Sequence, residues 1–155
     1  MAKPGAEQLI VKNRRATFDY DIADRYEAGI SLVGSEVKSM RDGKVDVVDA
    51  YVSVDRGSAW LKQLFIAPYE QAGAFPHETR RARRLLLHAR EIEEIDRALS
   101  REGATAVPTR LYFKEGRVKV EIGVGKGKKH YDKRADIAKR DADREARQVA
   151  RERRK

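Results

Sequence analysis

The most regular pattern in the chain lies around residue 120. Val118, Val120, Ile122 and Val124 alternate with Arg117, Lys119, Glu121 and Gly123, which predicts a strand with one face in a core and one in water. Residues 111–114 approach it across Glu115-Gly116, so the pair reads as a hairpin. Ile92, Ile95 and Leu99 recur at helical spacing and predict a helix over about 88–101, with Gly103 placed to cap it. Upstream the signals are shorter. Residues 16–20 and 29–33 read as strands, and 36–40 as one or two helical turns ended by Asp42-Gly43. Val47-Val48 and residues 50–54 read as strand, turning at 55–58 and returning over 60–66. Residues 1–12 show no period and read as a flexible lead, and 70–78 as a loop. About six short strands and one good helix predict a mainly β (α+β) domain over 13–125. A small, partly closed antiparallel barrel of the oligonucleotide-binding (OB) type, with flanking helices, absorbs them best.

Charge divides the chain in a way the hydrophobic pattern does not. Of 34 Lys/Arg and 25 Asp/Glu, thirteen and six fall in residues 126–155, a net of +7, against +2 for everything before. Ala135, Ala138, Ala142, Ala146 and Ala150 share one helical face there, with charges on the others. A helix without an apolar seam is marginal in water, so this tail reads as frayed when free and helical when docked on a polyanion. Nucleic acid is therefore the first partner to consider, and an acidic membrane surface the second. The absence of cysteine removes disulfides and thiolate metal sites. No apolar run has the length of a secretory signal or a membrane span, and a cytoplasmic monomer is the expectation.

Catalytic and nucleotide motifs fail on spacing. A phosphate loop ending at Gly127-Lys128 needs Gly at 122, where Ile stands, and Ser or Thr at 129, where Lys stands. The glycines over 123–127 read better as a hinge at the root of the basic arm. His77, His88 and His130 show no metal-ligand spacing, and no cofactor is implied. His77 and His88 would suit an acid/base pair in an RNA-cleaving enzyme, but nothing in the sequence selects them. The clusters Lys12-Asn13-Arg14-Arg15 and Arg80-Arg81-Ala82-Arg83-Arg84 flank predicted strands and suggest one phosphate-binding rim. Phe18, Tyr20, Tyr26, Tyr112 and Phe113 supply candidate base-stacking rings, and Glu27 a candidate acceptor for a base edge. A general RNA-binding or ribosome-assembly barrel fits all of this.

Six segments in order narrow the choice. They are Asn13-Arg14-Arg15-Ala16, Tyr26-Glu27-Ala28-Gly29-Ile30, Glu36-Val37-Lys38-Ser39-Met40-Arg41-Asp42-Gly43-Lys44, and Asp49-Ala50-Tyr51-Val52. Arg83-Arg84-Leu85-Leu86-Leu87-His88 follows, then residues 125–134 from Gly125 to Arg134. Together they resemble the small protein B family, the SsrA-binding proteins that partner transfer-messenger RNA (tmRNA). The resemblance implies a non-enzymatic adaptor that binds the tRNA-like domain of tmRNA and brings it to stalled ribosomes for trans-translation. It implies an RNA surface at Asn13, Glu27, Leu86 and His88, with Arg14, Arg15, Arg83 and Arg84 on phosphates. Relatives often have Asn at the His88 position, and both side chains hydrogen-bond. The tail motif maps to Lys126, Gly127, Lys128, Lys129, Tyr131, Asp132, Lys133 and Arg134. The resemblance implies that it enters the empty mRNA channel at the small-subunit decoding centre and folds there as a helix. Tyr131 stands where relatives have His, a change that keeps a ring for stacking.

Overall fold

A computed structural model describes residues 7–69, 77–128 and 137–145. Its frame is three long strands: β2 (Tyr20–Ile30), β8 (Thr105–Lys114) and β9 (Arg117–Gly127). The predicted alternation in β9 holds: Val118, Val120, Ile122 and Val124 are buried, and they meet Ala28, Ala106 and Leu111 in the core. The β8–β9 turn has positive φ at both Glu115 (53°) and Gly116 (77°), the backbone that a two-residue hairpin between twisted strands requires. β4 (Tyr51–Asp55) and β5 (Ser58–Lys62) turn the same way at Arg56 and Gly57.

The other strands are β1 (Glu7–Lys12), β3 (Val45–Asp46), β6 (Phe65–Ile66) and β7 (Arg83–Leu86). Seven strands form one antiparallel sheet in the order β1-β8-β9-β2-β7-β5-β4, while β3 and β6 pair separately. The sheet curls until β4 lies close to β8, but its edges do not hydrogen-bond. The expected barrel is therefore corrected to an open, curled sheet. Side-chain alternation specifies which face is buried and carries no instruction for joining the edges.

Helices α1 (Arg14–Asp19), α2 (Gly34–Arg41) and α3 (Ala89–Arg101) pack on this frame. In α3 the predicted stripe is present, with Ile95 fully buried, Ile92 and Leu99 against the core, and Gly103 at φ 68° beyond the last turn. Two expectations near the N-terminus fail. Residues 7–12, read as a lead, are the edge strand β1, tied to β8 from Glu7↔Lys114 to Lys12↔Arg110. Residues 16–20, read as a strand, lie mostly in α1, because the Asn13 side chain accepts from the Ala16 amide at 3.2 Å and starts a helix. The capping bond outweighs the β preference of Thr17 and Phe18.

The glycine-rich stretch is not a hinge either. Gly123, Gly125, Lys126 and Gly127 continue β9, paired with β2 as far as Tyr20↔Gly127. A Cβ at Gly123 would lie 2.7 Å from Thr109 Cγ2, and one at Gly125 would collide with the Asp21 carbonyl. These glycines allow close backbone approach rather than bending. Residues 137–145 are helical, and the Arg140 guanidinium lies 5.1 Å from the centre of the Phe18 ring on α1.

Candidate nucleic-acid interface

The short strand β7 sorts four residues by alternation alone. Arg83 and Leu85 point inward and are buried, whereas Arg84 and Leu86 point out. β7 pairs with β2 at Gly29↔Leu86 and Ile30↔Leu85. The close approach depends on residue 29, since a Cβ there would stand 3.2 Å from Leu86 Cβ. Leu86 is left 57% exposed on a folded sheet. An open groove beside it is lined by Glu27, Gly29, Arg84, His88 and Lys119. Leu86 and Lys119 also border a second groove, together with Leu32 and Val37.

Four residues named from the sequence thus converge: Glu27, Arg84, Leu86 and His88. Glu27 is held from one side. The Tyr112 hydroxyl donates to its Oε2 at 2.5 Å, and Lys114 Nζ lies 3.3 Å from both oxygens. The Tyr112 bond, aided by Lys114 and Lys119 and opposed by partial burial, holds the Glu27 carboxyl below its ordinary value. Burial and the same carboxylate push the Tyr112 hydroxyl well up. At neutral pH the groove therefore carries an acceptor-only carboxylate, an exposed apolar side chain and two cations, Arg84 and Lys119. Lys119 was not among the candidates named from the sequence. The alternation of β9 was its signal, since Arg117, Lys119 and Glu121 occupy the outward positions.

Two predicted contacts are corrected. Arg83 is fully buried. Its Nε donates to Glu36 Oε2 at 2.5 Å and Nη1 to the Leu64 carbonyl at 2.6 Å, while Nη2 reaches the Glu78 and Thr79 carbonyls. Its donors are committed to the fold. Asn13 is likewise buried, capping α1 with its oxygen and donating from Nδ2 to the Pro108 carbonyl at 2.9 Å. The single phosphate rim is kept only in part: Arg80 pairs with Asp49, which lines a groove with Arg15, whereas Arg84 lines the groove beside Leu86. α1, with exposed Arg14 and Arg15, sits at the Tyr20 end of β2, and Leu86 at the Gly29 end. Nine residues of extended strand place these ends about 30 Å apart.

The Tyr20 end gathers its own basic groups. Lys126 and Gly127 pair opposite Asp21 and Tyr20, and the Lys128 amide donates to the Asp19 carbonyl at 2.8 Å. Arg15, which also pairs with Asp19 at 3.2 Å, lines a groove there with Val48 and Tyr51, both exposed. Lys129, Tyr131, Asp132, Lys133 and Arg134 lie outside the described residues.

The candidate rings are mostly committed elsewhere. Tyr112 is buried beneath Arg110, and Arg41 stands over Phe113. The Tyr26 hydroxyl donates to Glu94 at 3.1 Å, and burial together with Glu94 pushes its pKa up to about 12. His77 is occupied at both ring nitrogens: Nε2 donates to the Ile66 carbonyl at 3.0 Å, and Nδ1 accepts from the Ser35 hydroxyl at 2.9 Å. His88 faces the Leu86 groove, which His77 does not line. Among the described residues, no group of three His, Asp or Glu side chains is arranged to hold a metal ion, and no helix is long and apolar enough to cross a membrane.

Comparison with known proteins agrees with this architecture. A chain from a solved structure described as "tmRNA-SmpB: a journey to the center of the bacterial ribosome" superposes with a TM-score of 0.66 at 44% identity. The match covers 77% of this chain and 85% of that one. An SsrA-binding protein of Sorangium cellulosum is 55% identical over 148 residues, covering 96% of this chain and 90% of the relative. One from a Nocardioides species is 50% identical over 149 residues, covering 96% and 94%. The family model for SmpB protein matches residues 10–152. The chain belongs to the SmpB protein family.

Proposed function

We propose that this chain is a tmRNA-binding adaptor of trans-translation, which holds the tRNA-like domain of tmRNA and accompanies it to stalled ribosomes. The observation that carries this reading is the Leu86 groove. It sets an exposed apolar side chain beside an ionised acceptor and two cations, the parts needed to cover an unpaired base, read its edge and hold its phosphate. The names of the relatives and of the structural neighbour, SsrA-binding protein and tmRNA-SmpB, point the same way.

In this reading Glu27, Leu86 and His88 face the RNA, with Arg84 and Lys119 on phosphates. Asn13 and Arg83 act indirectly, by fixing α1 and β7. Arg14, Arg15, Lys126 and Lys128, at the far end of β2, turn toward the ribosome together with the tail. The tail is the probe: Lys129, Lys133 and Arg134 meet ribosomal RNA in the empty mRNA channel, Tyr131 stacks at the decoding centre, and the segment is helical once docked. The curled sheet is an opened variant of the OB design. The protein works in the cytoplasm as a monomer, without cofactor and without chemistry of its own. Truncation after Lys128 tests the division of labour. The shortened chain should bind the tRNA-like domain as wild type does while peptide tagging on stalled ribosomes is lost. Equal loss of both activities would contradict it.

A further inference from the structure

A base-reading carboxylate must hold its direction, and Glu27 has a support whose construction is costly unless it serves that end. Tyr112, near the C-terminal end of β8, is 1% exposed, yet its hydroxyl is spent on a partly exposed carboxylate two strands away. The ring is clamped from above by Arg110, whose guanidinium lies 4.3 Å from its centre. Arg110 is itself fixed by Glu7 and Glu121, each at 2.7 Å. Glu121 in turn takes Arg25 at 2.6 Å. A chain of ion pairs across β1, β8, β9 and β2 thus ends in a buried hydroxyl aimed at Glu27 Oε2.

We propose that Tyr112, seconded by Lys114, is a positioning residue for RNA recognition. It fixes the rotamer of Glu27, so that Oε1 and the remaining lone pairs of Oε2 face the Leu86 groove as acceptors. The proposal rests on the reading of that groove as the RNA site. A fully buried ring that donates outward has few rotamers to choose from, so the Glu27 carboxylate is ordered before the RNA arrives, and less entropy is lost on binding. The other charged groups around Glu27 are Lys114 and Lys119 on the sheet, Arg84 on β7, and His88 and Glu91 at the start of α3. Lys114 and Lys119 also favour the ionised form, and Lys114, 3.3 Å from both oxygens, holds the direction less tightly than the buried hydroxyl at 2.5 Å.

The test is a double-mutant cycle on binding to the isolated tRNA-like domain of tmRNA, using Tyr112→Phe, Glu27→Gln and the pair. Tyr112→Phe keeps the ring and should weaken binding by about 10-fold, whereas in the Glu27→Gln background it should change little, because the group it positions is gone. Carbon NMR of the Glu27 carboxyl in the free protein supplies a second readout: its titration should move upward in Tyr112→Phe and stay put in a remote control variant. Additive losses, or wild-type binding by Tyr112→Phe, would overturn the positioning role. Wild-type binding by Glu27→Gln would overturn the RNA-site reading beneath it, and the proposal with it.

Discussion

Arg83 and Glu36 form an ion pair in which both side chains are wholly buried, 2.5 Å apart, between the strand that presents Leu86 and the first turn of α2. Arg81 joins the same carboxylate through Oε1 at 2.5 Å, and the Val33 amide donates to Oε1 at 3.0 Å. Burial pushes the Glu36 carboxyl up, but these hydrogen bonds from Arg81, Val33 and Arg83 outweigh it and leave it below its ordinary value. An arginine that looks from sequence like a phosphate contact instead holds β7 in place.

Removing Arg83 leaves the buried Glu36 carboxylate with Arg81 and the Val33 amide only, and removing Glu36 leaves the buried Arg83 guanidinium with carbonyl partners but no counter-charge. Arg83→Ala and Glu36→Ala should each cost about 3–5 kcal/mol in urea unfolding, and Arg84→Ala under about 0.5 kcal/mol. Because the folded carboxyl titrates below the unfolded one, the contribution of Glu36 is complete above the ordinary carboxylate range and fades as pH falls through its folded value. The stability of wild type should therefore drop more steeply on acidification below about pH 4.5 than that of Glu36→Gln.

Two glycines of β9 should answer the same substitution oppositely. Gly125→Ala places a methyl against the Asp21 carbonyl and should destabilise by about 1–3 kcal/mol or more. Gly127→Ala, with open space around its Cβ, should leave the thermal midpoint within about 2 °C. Similar losses at both would argue against a paired strand through Gly127.

Neighbouring leucines of β7 should separate stability from binding. Leu85 is buried, and Leu85→Ala should cost about 2–5 kcal/mol. Leu86→Ala should leave unfolding nearly unchanged and weaken binding of the tRNA-like domain by about 10-fold or more, the loss of one base's contact.

The cations should show in the salt dependence. Arg84→Ala and Lys119→Ala should each lower the slope of log affinity against log salt by about 1, as expected for loss of one phosphate contact. An unchanged slope in either variant would remove that residue from the interface.

The chain reveals its frame where one force acts alone. Alternation in β9, the apolar stripe of α3 and the Glu115-Gly116 turn were legible because burial or backbone geometry decides each locally. α1 was missed because a single side-chain cap at Asn13 outweighs the β preference of Thr17 and Phe18. β1 was missed because an edge strand with one partner needs no strong pattern, and β8 supplies that partner from a hundred residues away. At the candidate site, Glu27, Leu86 and His88 were named through a family resemblance, and the fold brings them to one groove. Arg83 was misplaced because an inward arginine reads like an outward one until its buried partner, Glu36, is in view. Lys119 was passed over although its outward position in β9 was already in the pattern.

The most direct test of the central claim is to sequence the RNA that co-purifies with the protein from its own cells. The account predicts one dominant species, tmRNA, lost together with binding in Leu86→Ala. A broad mixture of RNAs, unchanged by that substitution, would contradict it and favour a general RNA-binding domain.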